Sequence, residues 1–174
     1  EYETLLDAPP YLLVAEVHPL AKQKEVTFRD LGGLPLVLLD LPFTSEYYRG
    51  LLEEHDLKTN IVATASTTEM VRSLVGAGVG CSVLDMLPAT AISYAGDRLC
   101  ALPFADDTHS LRLVMGHLGG RQRRLLTVFT EACQAYFATD LAKHRRRNKQ
   151  SRHRSLLNQA RQFQDFRQNR PRIQ

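Results

Sequence analysis

The sequence predicts an α/β protein with a buried parallel sheet, and the segment from Asn60 to Pro88 shows the clearest pattern of alternating strand and helix. Ile61 to Ala65 is a short run of apolar and β-branched residues, which is typical of a strand. A helical stripe of apolar side chains follows, and Ser66 with Glu69 has the spacing of a capping box at its start. Cys81 to Leu84 is largely apolar again. Strand, helix and strand in this order predict one βαβ unit.

The same alternation continues on both sides of this unit. The longest predicted helix has an apolar face of Leu125, Phe129, Ala132 and Tyr136, spaced as one side of a helix. In chain order the other predicted elements are strands at Thr4–Leu6 and Tyr11–Val17, a helical turn at Thr27–Leu31, a strand at Leu34–Leu39, a helix at Ser45–His55, strands at Leu99–Pro103 and Leu111–His117, and the long helix at Gly120–Lys143.

Two polar loops follow predicted strands, one at Asp40 to Ser45 and one at Ala65 to Thr68. Ligands of α/β sheets bind at the carboxyl ends of strands, where a helix N-terminus presents unpaired N–H groups and a partial positive charge. We therefore expect a small polar or anionic metabolite where the two loops converge. Hydroxyls that only cap helices or face solvent are the simpler interpretation. The expected binding residues are Pro42, Phe43, Thr44, Ser45, Ser66, Thr67 and Thr68.

Charge divides the chain into two unequal parts. Residues 1–142 carry 11 Lys and Arg against 18 Asp and Glu, a net charge of −7, whereas residues 143–174 carry 11 against one, a net charge of +10. An acidic body does not favour nucleic-acid binding, so only the basic tail could provide it. Residues 144–174 have too few large apolar side chains to offset the entropy of ordering, so we expect a mostly disordered tail. Its charge predicts non-specific, salt-sensitive attraction to DNA or RNA.

Several classes of site have no signal in the sequence. Cys81, Cys100 and Cys133 lie in apolar contexts without zinc-ligand spacing, so we expect reduced core thiols and no metal site. The histidines pair with no Cys, Asp or Glu at metal spacing. No phosphate-binding loop or catalytic motif is present, so we expect neither a cofactor nor covalent chemistry. No apolar run could span a membrane and no leader is visible, which predicts a cytoplasmic protein.

Three motifs at their observed separation resemble those of a known family. They are His18-Pro19-Leu20-Ala21, the helix Glu69-Met-Val-Arg-Ser-Leu-Val75, and Gly78-Val-Gly80 followed by Leu87-Pro88. Together with the order of strands and helices over residues 3–142, they resemble the effector-binding region of LysR-type transcriptional regulators. One departure is Asp85-Met86 before Leu87-Pro88, where the family more often runs directly into its proline.

The resemblance implies a type 2 periplasmic-binding-protein-like fold, with one complete lobe plus the returning strand and helix of the other. Val14–His18 and Val114–His117 would be the paired crossing strands, which would place His18 and His117 near the hinge of the effector site. The apolar stripe of the long helix would face a largely absent sheet of lobe one. The expected divisions are residues 1–18 for the lobe-one remnant and a crossing strand, 19–105 for lobe two, 106–143 for the return crossing strand and helix, and 144–174 for the tail.

The resemblance also implies that a small-molecule effector in the interlobe cleft controls a DNA-bound homo-oligomer. The chain begins with Glu1 rather than methionine, so we expect a piece of a longer product. DNA would then be bound only through a missing N-terminal domain. Two alternatives stay open: a solute-binding protein of a transporter, which would share the fold and need export, and a nucleic-acid-associated protein acting through residues 143–172.

Overall fold

A computed structural model describes residues 2–58, 60–117 and 124–138 of the chain. Within these residues the protein forms seven strands, three α-helices and two 3₁₀ helices. The strands are β1 (Tyr2–Ala8), β2 (Tyr11–Ala15), β3 (Pro35–Leu39), β4 (Asn60–Ala65), β5 (Ser82–Leu84), β6 (Leu99–Pro103) and β7 (Leu111–Gly116). The α-helices are α1 (Thr44–Glu54), α2 (Thr68–Gly76) and α3 (Arg124–Ala138), and the 3₁₀ helices span Pro19–Lys22 and Phe28–Leu31.

The main sheet extends from the parallel pair β3 and β4, in which Leu39 lies opposite Ala65. Cys81 joins β5 to this pair, because its N–H donates to the Pro35 carbonyl oxygen and its own carbonyl oxygen accepts from the Val37 N–H, both at 2.8 Å. β2 pairs antiparallel with β5 on one side and with β6 on the other, so the strand order is β4-β3-β5-β2-β6. The βαβ unit predicted from the sequence is therefore present, with β3 lying between its two strands.

The hydrophobic core lies between the main sheet and its helices. Leu12 and Val14 of β2 have no exposed surface, and Val71 and Val75 of α2 are also completely buried where the helix packs on β2 and β3. Burial of an aliphatic side chain of this size contributes roughly 1.5–3 kcal/mol. Because β2 is buried at all five positions, it is stable only as an interior strand covered on both faces.

β1 and β7 form a separate antiparallel ribbon, in which Thr4 lies opposite Val114. α3 packs against β1 and leaves much of its apolar stripe in solvent, with Leu125 82% exposed and Phe129 59% exposed. The predicted ends of this helix and the tail at residues 144–174 lie outside the described residues.

The predicted pairing of residues 14–18 with residues 114–117 is wrong. Val14 lies opposite Cys100 in the main sheet, and Val114 lies opposite Thr4 in the ribbon. The physical reason is the difference in burial between the two N-terminal strands. β2 is buried throughout and takes a partner on each side, whereas β1 has mostly exposed or partly buried positions and pairs with β7 alone within the described residues.

Two consecutive prolines, Pro9 and Pro10, separate β1 from β2. Proline has no N–H to donate to a neighbouring strand. β1 therefore ends at this point in the ribbon, and β2 begins after it in the main sheet. Tyr11, the first residue of β2, is already paired with both Leu84 and Pro103. The strand pairing thus favours a lobe boundary at the two prolines rather than after residue 18.

Candidate functional site

β3 and β4 end side by side, and this brings the two predicted loops together. Leu39 and Ala65 are opposite each other at the ends of the strands, and the Asp40 N–H donates to the Ala65 carbonyl oxygen at 2.8 Å beyond them. The loop that leads into α1 and the loop that leads into α2 therefore start one strand spacing apart, about 4.8 Å. This edge of the sheet is the candidate functional site.

α2 begins one residue later than the sequence indicated. Thr67, not Ser66, is the N-cap: its Oγ1 accepts from the Met70 N–H at 3.2 Å, and its backbone is extended. The predicted Ser66–Glu69 capping box is wrong, because the Glu69 carboxylate accepts instead from Arg72 Nε at 2.8 Å. The Thr67 hydroxyl accepts in this bond and can still donate its hydrogen. Because the first N–H groups of a helix have no partner inside it, this end of α2 can bind an anion.

α1 begins differently and has less to offer an anion. The N–H groups of Thr44 and Ser45 both donate to the Leu41 carbonyl oxygen, at 3.1 and 3.2 Å. Phe43, immediately before the helix, has φ 66° and ψ −26°, a left-handed backbone that a bulky residue rarely adopts, and its side chain is 87% exposed. Two equivalent helix ends were expected here. The backbone of the α2 end is available, whereas α1 contributes mainly the hydroxyls of Thr44 and Ser45 and an exposed aromatic ring.

Two adjacent tyrosines tie α1 to the segments around this edge. The hydroxyl of the buried Tyr48 donates to Asp85 Oδ1 at 2.8 Å, and the Tyr47 hydroxyl donates to the His109 carbonyl oxygen at 2.8 Å. Burial, followed by the charge of Asp85, raises the pKa of Tyr47 to about 12 and that of Tyr48 further still. Both phenols therefore remain neutral hydrogen-bond donors at any physiological pH. Asp85 was not among the expected site residues, although its position at the end of a buried strand was a signal.

Arg72 is a buried cation that fixes α2 to the segment after β5. Only 2% of the residue is exposed. Besides its bond to Glu69, its Nη2 donates to the carbonyl oxygens of Thr90 at 3.0 Å and Ile92 at 2.6 Å. Glu69 also accepts from the Tyr94 N–H. The buried Nη1 has no hydrogen-bond partner within the described residues. This arrangement ties α2 to residues 90–94 of the segment after β5.

The structure removes His18 from the candidate site. β2 runs antiparallel to β5, so its carboxyl end, where Ala15 pairs with Leu99, lies at the edge of the sheet opposite the two loops. His18 follows that end. Its Nδ1 accepts from the Leu20 N–H at 3.2 Å, which makes it the cap of a 3₁₀ helix. The expectation that His18 lies near the hinge is therefore wrong.

His117 is also misplaced by the expected strand pairing. In the ribbon, Leu111 lies opposite Ala8 beside the two prolines, and Gly116 lies opposite Tyr2 at the far end. His117 follows Gly116, so it lies a whole strand length away from the boundary, roughly 20 Å at about 3.3 Å per residue. It does not converge with the loops either.

The described ranges offer little to a metal ion or to thiol chemistry. No group of three or more His, Cys, Asp or Glu side chains there could hold a metal ion. Cys81 is buried, and burial raises the pKa of its thiol to about 11, which makes it a weak nucleophile. Cys100 and Cys133 are partly buried, reduced thiols. None of the helices in the same ranges is long and apolar enough to cross a membrane.

A mixed sheet whose parallel strands β3, β4 and β5 end at one edge, together with a separate ribbon and helix, defines an α/β domain of the type 2 periplasmic-binding-protein-like fold. The chain belongs to the LysR substrate binding domain family, whose model matches residues 1–138. Both the fold and the family suggested by the sequence are thereby confirmed.

The chain is similar to regulators from several bacteria. It is 26% identical over 151 residues to the HTH-type transcriptional regulator CysB of Haemophilus influenzae, covering 82% of this chain and 44% of CysB. It is 25% identical over 142 residues to the Hca operon transcriptional activator HcaR of Escherichia coli, covering 80% and 47%. The crystal structure of HinK, a LysR family regulator from Pseudomonas aeruginosa, matches with a TM-score of 0.71 and 30% identity over 78% of this chain and 47% of HinK. The chain spans about half the length of the curated relatives it matches.

Two more distant structures share the fold and were solved with small molecules. The effector-binding domain of BenM with its effector benzoate matches with a TM-score of 0.64 and 18% identity, over 79% of this chain and 63% of that domain. The effector-binding domain of QuiR in complex with shikimate matches with a TM-score of 0.60 and 18% identity, over 78% and 64%. Similarity at this level establishes the fold alone.

Proposed function

We propose that this chain is the ligand-sensing part of a LysR-type transcriptional regulator, and that a small polar or anionic metabolite binds where β3 and β4 end. One observation carries the proposal: the strands finish side by side at Leu39 and Ala65, with Thr67 opening α2 directly beyond them. The complexes of BenM with benzoate and of QuiR with shikimate support it, because both ligands are carboxylates bound by domains of this fold.

The proposed contacts differ in kind between the two loops. The start of α2 would bind the acidic group of the ligand through backbone N–H groups and hydroxyls, because its first turn has donors to offer. The start of α1 would contribute hydroxyls and an apolar wall. The proposed ligand-binding residues are Ser66, Thr67 and Thr68 from the first loop, and Pro42, Phe43, Thr44 and Ser45 from the second.

Binding at this edge would act on a larger protein. The matched relatives are about twice as long as this chain and are transcriptional regulators, which favours this class over a solute-binding protein of a transporter. In the intact protein, the ligand would control a homo-oligomer in the cytoplasm that holds DNA through an N-terminal domain. No cofactor or covalent step is part of this proposal. The basic residues 143–174 would add only non-specific attraction to nucleic acid, weakening as salt rises.

Amide signals of the isotope-labelled 174-residue chain test the proposal. We expect titration with benzoate, shikimate and a set of short hydroxy and amino acids to shift the signals of residues 40–45 and 65–68. Thr67→Val should weaken binding about tenfold, the loss of one hydrogen bond to a charged group. Thr4→Val, an equivalent change on the exposed β1, should leave it unchanged. Shifts confined to α3, or absent from both loops with every compound, would contradict the proposal.

A further inference from the structure

Asp85 stands at the same edge of the sheet as the two loops. It follows Leu84, the last residue of β5, and β5 lies directly beside β3. Its Oδ1 accepts from the Tyr48 hydroxyl at 2.8 Å and from the Met86 N–H at 2.9 Å. Because Tyr48 is completely buried, these two bonds hold the carboxylate in a fixed orientation against α1. The other oxygen, Oδ2, has no hydrogen-bond partner in the described part of the chain.

Nothing cationic in the described ranges neutralises Asp85. The ion pairs found there join Arg72 to Glu69 and Arg98 to Glu16. The buried Arg72 binds Glu69 and two carbonyl oxygens and forms no ion pair with Asp85 within these ranges. Asp85 instead lines a small cavity together with Asp7, which lies opposite Arg112 in the ribbon. Asp40, the first residue after β3, adds a second negative charge at the same edge as Asp85.

The candidate site is therefore electrically asymmetric. At the β4 end, the start of α2 provides hydrogen-bond donors and a partial positive charge. At the β5 end, a fixed carboxylate provides an acceptor and a negative charge. β3 lies between the two strands, so the two ends are about 10 Å apart, or two strand spacings. A ligand with only an acidic group would satisfy one end and leave Asp85 without a partner.

We infer that the ligand carries an acidic group for the start of α2 and a cationic donor, such as an ammonium group, for Asp85. Asp85 is thus the residue that selects amino acids over simple acids. This inference rests on the proposed function, since it requires the ligand to lie across this edge. A charge-assisted hydrogen bond to a partly buried carboxylate is stronger than one to water, so a matched ligand gains affinity from it. A compact amino acid with a few atoms between its two charges fits the span.

The experiment compares 4-methylbenzoate with 4-(aminomethyl)benzoate, which differ by one ammonium group, using the amide signals of the 174-residue chain. We expect the aminated compound to bind about tenfold more tightly. In Asp85→Asn this preference should disappear, because the amide can still accept from Tyr48 but presents N–H groups to the ligand. Glu53→Gln, the same loss of charge on the exposed far end of α1, should retain the preference.

The outcomes separate the inference from the proposed function. If both compounds shift residues 40–45 and 65–68 with equal affinity, or if Asp85→Asn keeps the preference, the selectivity of Asp85 is overturned while ligand binding at the edge stands. If neither compound shifts those signals in the unaltered chain, the ligand does not lie across this edge and the inference falls with the proposed site. The inference is supported if Asp85→Asn loses the preference for the aminated compound and Glu53→Gln retains it.

Discussion

Gly80 lies against the backbone of Pro35, so closely that a Cβ atom at position 80 would be 2.5 Å from the Pro35 carbonyl oxygen. That same oxygen accepts the Cys81 N–H at 2.8 Å, the bond that joins β5 to β3. The main sheet therefore depends on the absence of a side chain at one position. Since Asp85 and the loop after β3 meet only because these strands are neighbours, the candidate site depends on it as well.

We expect Gly80→Ala to destabilise the fold by roughly 1–3 kcal/mol, because the methyl group forces the backbones of β3 and β5 apart. Urea unfolding measures the change in the free energy of unfolding. Gly50→Ala is the matched control: a Cβ at Gly50, on the exposed face of α1, meets no atom within 4 Å. That change should stabilise the protein by up to about 1 kcal/mol through helix propensity. Equal changes in the free energy of unfolding for Gly80→Ala and Gly50→Ala would contradict the close approach of Gly80 to the Pro35 carbonyl oxygen.

Thr67→Val should cost about 1 kcal/mol of stability, because it removes the oxygen that accepts the Met70 N–H. Thr67→Ser keeps that oxygen and should cost much less. Ser66→Ala should leave stability within about 0.5 kcal/mol, as expected for a surface position outside the cap. Thermal unfolding followed by circular dichroism distinguishes these cases. A larger loss of stability in Ser66→Ala than in Thr67→Val would contradict the Thr67 cap and support the Ser66–Glu69 capping box predicted from the sequence.

Arg72→Met should destabilise the protein by roughly 3 kcal/mol, because it leaves one oxygen of the partly buried Glu69 carboxylate and two carbonyl oxygens without a donor. We also expect faster amide exchange at residues 90–97, the segment that the guanidinium holds. Arg49→Met on the exposed surface of α1 provides the control and should change neither quantity appreciably. Unchanged exchange at residues 90–97 in the Arg72 variant would show that this segment is held by other contacts.

Stability should fall as the pH rises from 9 to about 12. Burial raises the pKa of the Cys81 thiol from 9.0 to about 11 and that of Tyr47 from 10.0 to about 12. In this window the unfolded chain releases protons that the folded chain retains, so the unfolded state gains relative stability with each increment of pH. Urea midpoints across this range measure the slope. Cys81→Ala should reduce the loss between pH 9 and 11, and a midpoint that stays constant there would contradict the assignment.

The local parts of the fold could be predicted from the sequence. The apolar periodicity of residues 60–84 predicts a strand, a helix and a second strand. Two strands joined by one helix normally run parallel in the same sheet. The convergence of the loops after β3 and β4 follows from that rule. The errors were at the level of single residues or distant partners. Ser66 and Thr67 are both good caps by residue type, whereas the structure uses Thr67 and binds Glu69 to Arg72.

Distant pairing could not be read from local pattern. Val14 is an apolar strand residue whether its partner is Cys100 or Val114, and the energy that decides comes from burying β2 on both faces. His18 and His117 were misplaced for this reason, since each was located from the wrong strand pairing. Asp85 was missed because a single carboxylate after a strand carries no motif. Its orientation is set by the hydroxyl of Tyr48, which donates to it from 37 residues away in the sequence.

The position of β2 has a consequence for how the chain acquires its structure. β2 is synthesised before both of its partners, β5 and β6, and Tyr11 can pair with Pro103 only after about 90 further residues have been made. At roughly 5–20 residues per second of synthesis, this fully buried strand stays unpaired for several seconds while β3, α1, β4 and α2 assemble from near neighbours. Closing such a long loop is slow, and an exposed apolar strand is prone to aggregate. The yield of folded protein should therefore respond to chaperones and to translation speed more than its equilibrium stability would suggest.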